Sequence, residues 1–95
     1  MPELNFQVRW PDDSTMRCYS PSSTTRDFFE PGKPYPLDEF LRLSRLALEQ
    51  ASARVAARYG YACSSAAHQL AQIEQRGATY RHLPSPVVTV LGFDP

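Results

Sequence analysis

The stretch Pro36–Gly60, PLDEFLRLSRLALEQASARVAARYG, is the longest periodic run in the chain and decides how the rest is arranged. At about 100° per residue, Leu37, Phe40, Leu41, Ala47, Leu48, Ala51, Val55 and Tyr59 fall on one arc, interrupted only by Ser44. Asp38, Glu39, Arg42, Arg45 and Glu49 fall on the far side. Pro36 suits the first helical position, because it lacks a donor that would be unsatisfied there. Asp38 and Glu39 place negative charge beside the positive end of the helix dipole. Arg54 and Arg58 stand near the other end, and Gly60 is free to take the left-handed conformation that stops a helix. The spacing predicts a docked amphipathic helix of about 23 residues, roughly 35 Å long. Such a helix needs an apolar surface to lie on.

Working outward toward the N-terminus, Leu4, Phe6, Val8 and Trp10 alternate with Asn5, Gln7 and Arg9. A period of two with one apolar face predicts a half-buried strand. Pro11-Asp12-Asp13-Ser14 are turn formers, and Thr15–Ser20 resumes an extended pattern, which makes a hairpin. Alternation puts Met16 and Cys18 on its core face. Pro21–Thr25 reads as a turn or loop. Arg26–Glu30 is open to two readings, a single helical turn capped by Ser23 or a short extended edge. At least one of Phe28 and Phe29 should be buried. Glu30-Pro31-Gly32-Lys33 then turns the chain into the helix.

Beyond Gly60, the residues Ala62, Ala66, Leu70, Ile73 and Gly77 share a helical face, with His68, Gln72, Glu74 and Gln75 off it. A second helix is expected from about Ser65 to Arg76, begun by a serine cap and ended by Gly77. The short joint makes the two helices roughly antiparallel neighbours. After a loop with two prolines, Val87–Phe93 is a β-branched strand. The expected order is β-β-α-α-β, an α+β fold in one domain spanning residues 1–95. A lone hairpin is marginal in water, so the last strand should pair antiparallel with the first. That gives a three-stranded sheet of order 2-1-3, with both helices on one face. The last strand would then keep one edge in water, an edge on which two copies could pair.

Composition narrows the function classes. Ten basic and ten acidic side chains balance to zero, against the basic excess of a nucleic-acid or anionic-membrane binder. No apolar run approaches the roughly 20 residues that span a bilayer. MPELNFQVRW lacks the pattern of a secretory signal, and a cytoplasmic location is expected. Cys18 and Cys63 are too few for a disulfide framework or, alone, for a structural zinc. With His68 and His82 they make a formally sufficient zinc set that lacks paired short spacings. Neither a metal nor a cofactor is expected.

One constellation is worth a site, the joint Tyr59-Gly60-Tyr61-Ala62-Cys63-Ser64-Ser65. Backbone N–H groups at a helix start point outward, and the dipole there favours anions. Cys63, Ser64, Ser65 and Ala66 are therefore the candidate ligand-binding residues, for a phosphate or a carboxylate. The plainer account has one serine capping, the other solvated and Cys63 filling space. A Cys63–His68 nucleophile pair is poorly placed, about 140° apart on a continuous helix. No carboxylate is positioned to orient either histidine, and no catalytic residue is assigned. On the long helix, Leu46 points away from the core stripe and Leu43 flanks it. The pair is a candidate interaction surface for a protein partner or a second copy.

Together VRWPD, CYSPS, EPGKPYPLDEF, YGYACSSA and VTVLGF, in that order and covering nearly the whole chain, resemble a family of small bacterial nitrogen-starvation-response proteins. Members of that family are typically encoded in clusters with a nitrilase and with radical-SAM, flavin-dependent and acetyltransferase-like proteins. The resemblance implies a role in nitrogen-related metabolism and carries over no catalytic residue. The resulting expectation is a non-enzymatic accessory or binding protein acting with enzymes of such a cluster, its partner a protein of the same pathway or a second copy. The alternatives are a small-molecule or anion-binding module using Cys63–Ala66, and a thiol-dependent enzyme.

Overall fold

The alternation in Leu4–Arg9 does form a strand, β1, with Leu4, Phe6 and Val8 buried and Gln7 and Arg9 exposed. The structure, a computed structural model, describes residues 3–60 and 64–94. Asp12 makes the turn after β1: its carboxylate accepts from the Ser14 backbone N–H at 3.0 Å, and Asp13 takes a left-handed φ of 68°. β2, Thr15–Ser20, returns antiparallel with Phe6 opposite Cys18. Cys18 is buried and Met16 packs partly against the core, as the alternation requires.

The ambiguous segment resolves into a 3-10 turn, Ser23–Asp27. Ser22, not Ser23, caps it, accepting from the Thr24 N–H. Phe29 is the buried phenylalanine, 5.4 Å from Phe40 and 6.2 Å from Phe6 between ring centroids. Phe28 is half-buried beside the same core.

Two features of the sheet correct the expectation drawn from the sequence. It has four strands and not three, in the order β2-β1-β4-β3. The added strand is β3, Pro34–Pro36, paired antiparallel with β4, Val87–Asp94. Two prolines in three residues hide it, yet an edge is where a sheet tolerates proline. Consequently β4 is no free edge. β3 covers Val87–Thr89, and Gly32 N–H donates to Val90 O at 2.9 Å. The dimer edge expected on the last strand is already used within the chain. The neighbours β2, β1 and β4 do stand in the expected order, with a bulge in β4 opposite Gln7 and Val8.

α1, Leu37–Tyr59, has Pro36 as its N-cap and not as its first turn, with ψ at 145° because Pro36 still belongs to β3. Gly60 ends α1 as expected, at φ 83°, with its N–H on Ala56 O. The buried face is Leu37, Phe40, Leu41, Ser44, Ala47, Leu48 and Ala51. The stripe therefore stops two turns early: Val55 is half-buried, and Tyr59 is 53% exposed. α2, Ser64–Ala78, buries Ala66, Gln69, Leu70, Ile73 and Gly77. Gly77 lies inside α2 and does not end it. A Cβ there would stand 2.8 Å from Leu41 Cδ2, so glycine is what lets the two helices approach.

Both helices cover one face of the sheet, meeting Leu4, Phe6, Val8, Val88 and Val90 in one apolar cluster. Tyr19 N–H bonds to the Gln69 side chain, and Tyr80 stacks on Trp10 at the opposite end of β1. α2 thus runs along β1 and β2, and the end of the helical hairpin projects past the sheet. The molecule is accordingly elongated, 43 × 21 × 17 Å. Arg54 and Arg58 continue the sheet-facing row of Ala47 and Ala51 into this projection. Where the sheet stops, the row changes from alanine to arginine.

Ser44 does not interrupt the docked stripe. It is buried within it, and its hydroxyl has no hydrogen-bond partner among the described residues. Ser44→Ala removes an unpaired buried group and adds helix propensity, so it should stabilise the protein by about 1 kcal/mol. Urea unfolding measures this as a raised midpoint at unchanged slope. A lower midpoint would mean the hydroxyl has a bonded partner.

Candidate functional site

α2 opens with SSAAHQL, a first turn that carries no acidic side chain. Its first N–H groups have no carbonyl one turn back within the helix. Of the four residues assigned to the site, Cys63 lies outside the described residues. Ser64 and Ser65 are exposed, whereas Ala66 is buried against the core and offers only its backbone.

Beside this start lies β2. Tyr19 donates its backbone N–H to Gln69 Oε1 at 3.0 Å and its hydroxyl to Glu3 Oε2 at 2.8 Å. Gln69 Nε2 in turn donates to Gln72 Oε1. Tyr19, Ser64, Ser65, His68 and Gln69 together line an open concavity of about 550 Å³. The sequence reading missed Tyr19 and Gln69. A glutamine on the apolar face of a helix was the signal, since a buried amide needs a fixed partner. The concavity's chemistry is that of hydroxyls, an imidazole and backbone donors.

The start of α1 is built differently. Leu37 N–H is taken by Pro86 O at 3.0 Å, Asp38 and Glu39 fill the first turn, and Arg81 pairs with Asp38 at 3.1 Å. Its donors and its field are answered from within the chain.

Cys18 cannot serve as a nucleophile. It is fully buried, and burial pushes its thiol up to about 12. Next to it, Ser20 Oγ lies 2.7 Å from Thr25 Oγ1 and donates to Ser22 O at 2.8 Å, so the hydroxyls of CYSPS are tied up in the loop. Alkylation of Cys18 in the folded protein should therefore run at the rate of global opening and become fast only in denaturant. Mass spectrometry of tryptic peptides measures it, and fast labelling in buffer would contradict the burial. His68 sits in the second turn of α2 and His82 beyond its last, about 15 Å of helix apart. Among the described residues no three His, Cys, Asp or Glu side chains are grouped to hold a metal ion.

A second polar cluster had no counterpart in the sequence reading. Arg76 Nη2 donates to Ser14 Oγ, and Arg76 Nε donates to Tyr80 Oη at 3.0 Å. Ser14 Oγ donates to Asp12 Oδ1. Hydrogen bonds from the Ser14 hydroxyl and then the Ser14 N–H hold the Asp12 carboxyl below its usual value. The guanidinium lies 5.9 Å from the Trp10 ring centroid, and Tyr80 stacks on that ring. This cluster fastens the β1–β2 turn to the end of α2.

The family model of NitG, the nitrogen starvation-induced protein, matches residues 5–93. The chain belongs to the NitG family. No curated protein and no solved structure matches it. In this NitG-family chain the recognisable segments are parts of the scaffold. VRWPD ends β1 and enters the Arg76 clamp, and CYSPS ends β2 in the hydroxyl cluster. EPGKPYPLDEF carries β3 into α1, and VTVLGF is β4. No helix among the described residues is long and apolar enough to cross a membrane.

Leu43 and Leu46, the candidate interaction surface, part company. Leu43 packs partly against the core, and Leu46 alone is exposed, at 44%.

Proposed function

We propose that this NitG-family protein is a non-enzymatic accessory protein of the nitrogen-starvation response, acting by contact with an enzyme of a nitrilase-type gene cluster. The observation that carries the reading is the projecting end of the helical hairpin. It stands clear of the sheet, and from Gln50 to Ile73 its only formally charged side chains are Arg54 and Arg58. All ten acidic residues lie elsewhere in the chain. A projection of one charge sign suits an acidic surface on a partner, for which opposite potentials speed encounter and fix orientation. The test is co-purification from nitrogen-starved cells with the enzymes encoded beside it, comparing the native chain with an Arg54→Glu/Arg58→Glu variant. Retention of such an enzyme by the native chain and its loss with the variant are expected. Equal recovery with both would sink this role for the hairpin end.

A second reading, a small-anion site at Cys63–Ala66, is favoured by the concavity beside Ser64 and Ser65 and by the absence of an acid in the first turn of α2. Titration with phosphate or small carboxylates, followed by backbone amide shifts, tests it. Saturable shifts confined to the start of α2 support the site, and a flat response there leaves two solvated serines.

A further inference from the structure

The two margins of the sheet are closed by different means. At the β3 margin, Gly32 N–H reaches Val90 O, so by the alternation of an antiparallel ladder Val88 also faces β3 and pairs with Tyr35. The outward positions of β3 are then Pro34 and Pro36, which have no N–H for a further strand.

The β2 margin has no proline. Trp10 N–H donates to Ser14 O at 2.8 Å, which makes Val8–Met16, Phe6–Cys18 and Leu4–Ser20 the bonded pairs of the hairpin. The N–H and C=O groups of Thr15, Arg17 and Tyr19 therefore point away from β1, a row on which another strand could pair. Among the described residues, only the Tyr19 N–H of this row is met from within the chain. Gln69 Oε1 accepts it at 3.0 Å, where the carbonyl of a neighbouring strand would otherwise stand. Gln69 is 7% exposed, and its amide is held in turn by the bond from Nε2 to Gln72 Oε1.

We propose that Gln69 is an edge guard, its side-chain amide keeping β2 from pairing with β2 of a second copy. Two-fold antiparallel pairing that uses all three outward residues centres on Arg17, with Thr15 of each copy opposite Tyr19 of the other. Gln69 already holds the Tyr19 N–H in both copies, which removes a bond at each end of that ladder. At its centre two guanidiniums would stand side by side on one face, a destabilising pair. Asp94, 3.3 Å from Arg17 and exposed like it, offsets this repulsion only in part. The amide and the like charges thus keep the margin closed together. This inference rests neither on the accessory role nor on the anion site.

Amide hydrogen exchange and sedimentation equilibrium of the full chain test it. In the native protein the Tyr19 amide should exchange at least about tenfold more slowly than those of Thr15 and Arg17. Gln69→Ala keeps helix propensity, so the variant should retain its native circular dichroism. In dilute solution its Tyr19 amide should exchange as fast as the other two. At sub-millimolar concentration it should self-associate at least about tenfold more tightly than the native chain, the three amides slowing together. Adding Arg17→Thr should tighten the association further, whereas Gln69→Glu, which keeps an acceptor, should behave as the native chain. A native Tyr19 amide as fast as those of Thr15 and Arg17 overturns the proposal without any variant. A folded Gln69→Ala chain that associates no more than the native one overturns it as well. So does association that leaves the three amides fast, because the copies then meet elsewhere.

Discussion

Leu48→Ala is expected to cost about 2–5 kcal/mol of folding free energy, while Leu46→Ala, two residues away on the same helix, stays within about 0.5 kcal/mol. Leu48 is 1% exposed and belongs to the cluster between the sheet and both helices. Truncating it loses the transfer term and leaves a cavity that the surrounding core cannot fill without shifting. Leu46 faces water in the monomer and loses little. A small domain typically holds about 5–15 kcal/mol, so the first change alone is a large part of the whole. Urea unfolding makes the comparison, read as a shift of midpoint at unchanged slope. Equal losses at both positions would mean that α1 is buried on two sides in the monomer, which the layer arrangement forbids.

Trp10→Ala should be at least as severe, about 3–5 kcal/mol. The indole is almost wholly buried, edge-on to Phe40 at 5.6 Å and stacked on Tyr80 at 5.6 Å. Its loss also removes the surface on which Arg76 lies, so the fastening of the β1–β2 turn to α2 should loosen with it. Trp10 Nε1 has no hydrogen-bond partner among the described residues. Trp10→Phe therefore gives up ring area but no bond, and should recover a large share of the stability. Denaturant melts of both variants, with near-ultraviolet circular dichroism for the packing of Tyr80, report the outcome. An alanine variant within about 1 kcal/mol of the native protein would show that the aromatic stack contributes little.

Where periodicity was long, the sequence was informative. Twenty-five residues of 3.6-fold pattern located α1 within a residue at its start and at Gly60, because burial on one face demands that pattern. The alternation of Leu4, Phe6 and Val8 likewise yielded β1, its hairpin and the core side of β2. β3 was illegible because a three-residue strand cannot show a period, and Pro34 and Pro36 argue against one. The length of docked helix was illegible for another reason. Val55 and Tyr59 keep the apolar spacing, but the sheet beneath them has already ended. Gln69 was passed over because its burial depends on Tyr19, fifty residues earlier, presenting an N–H at the sheet's outer edge. Part of the proposed anion site was nameable in advance from Ser64 and Ser65, whereas its wall, Tyr19, is set by tertiary contact alone.

The position of β4 bears on the order in which the chain can fold. It follows in the chain every strand it joins, yet it lies inside the sheet between β1 and β3, with Asn5 opposite Asp94. The N-terminal hairpin and β3 pair with β4 but not with each other. During synthesis they must wait, one inner margin of β1 unsatisfied, while the α1–α2 hairpin needs only near neighbours along the chain and can form early. Closing the sheet then requires a loop reaching from Asn5 to Asp94, the kind of non-local pairing that slows folding. The helices are thus placed to nucleate, and the sheet to close last, around a strand that arrives after everything it joins.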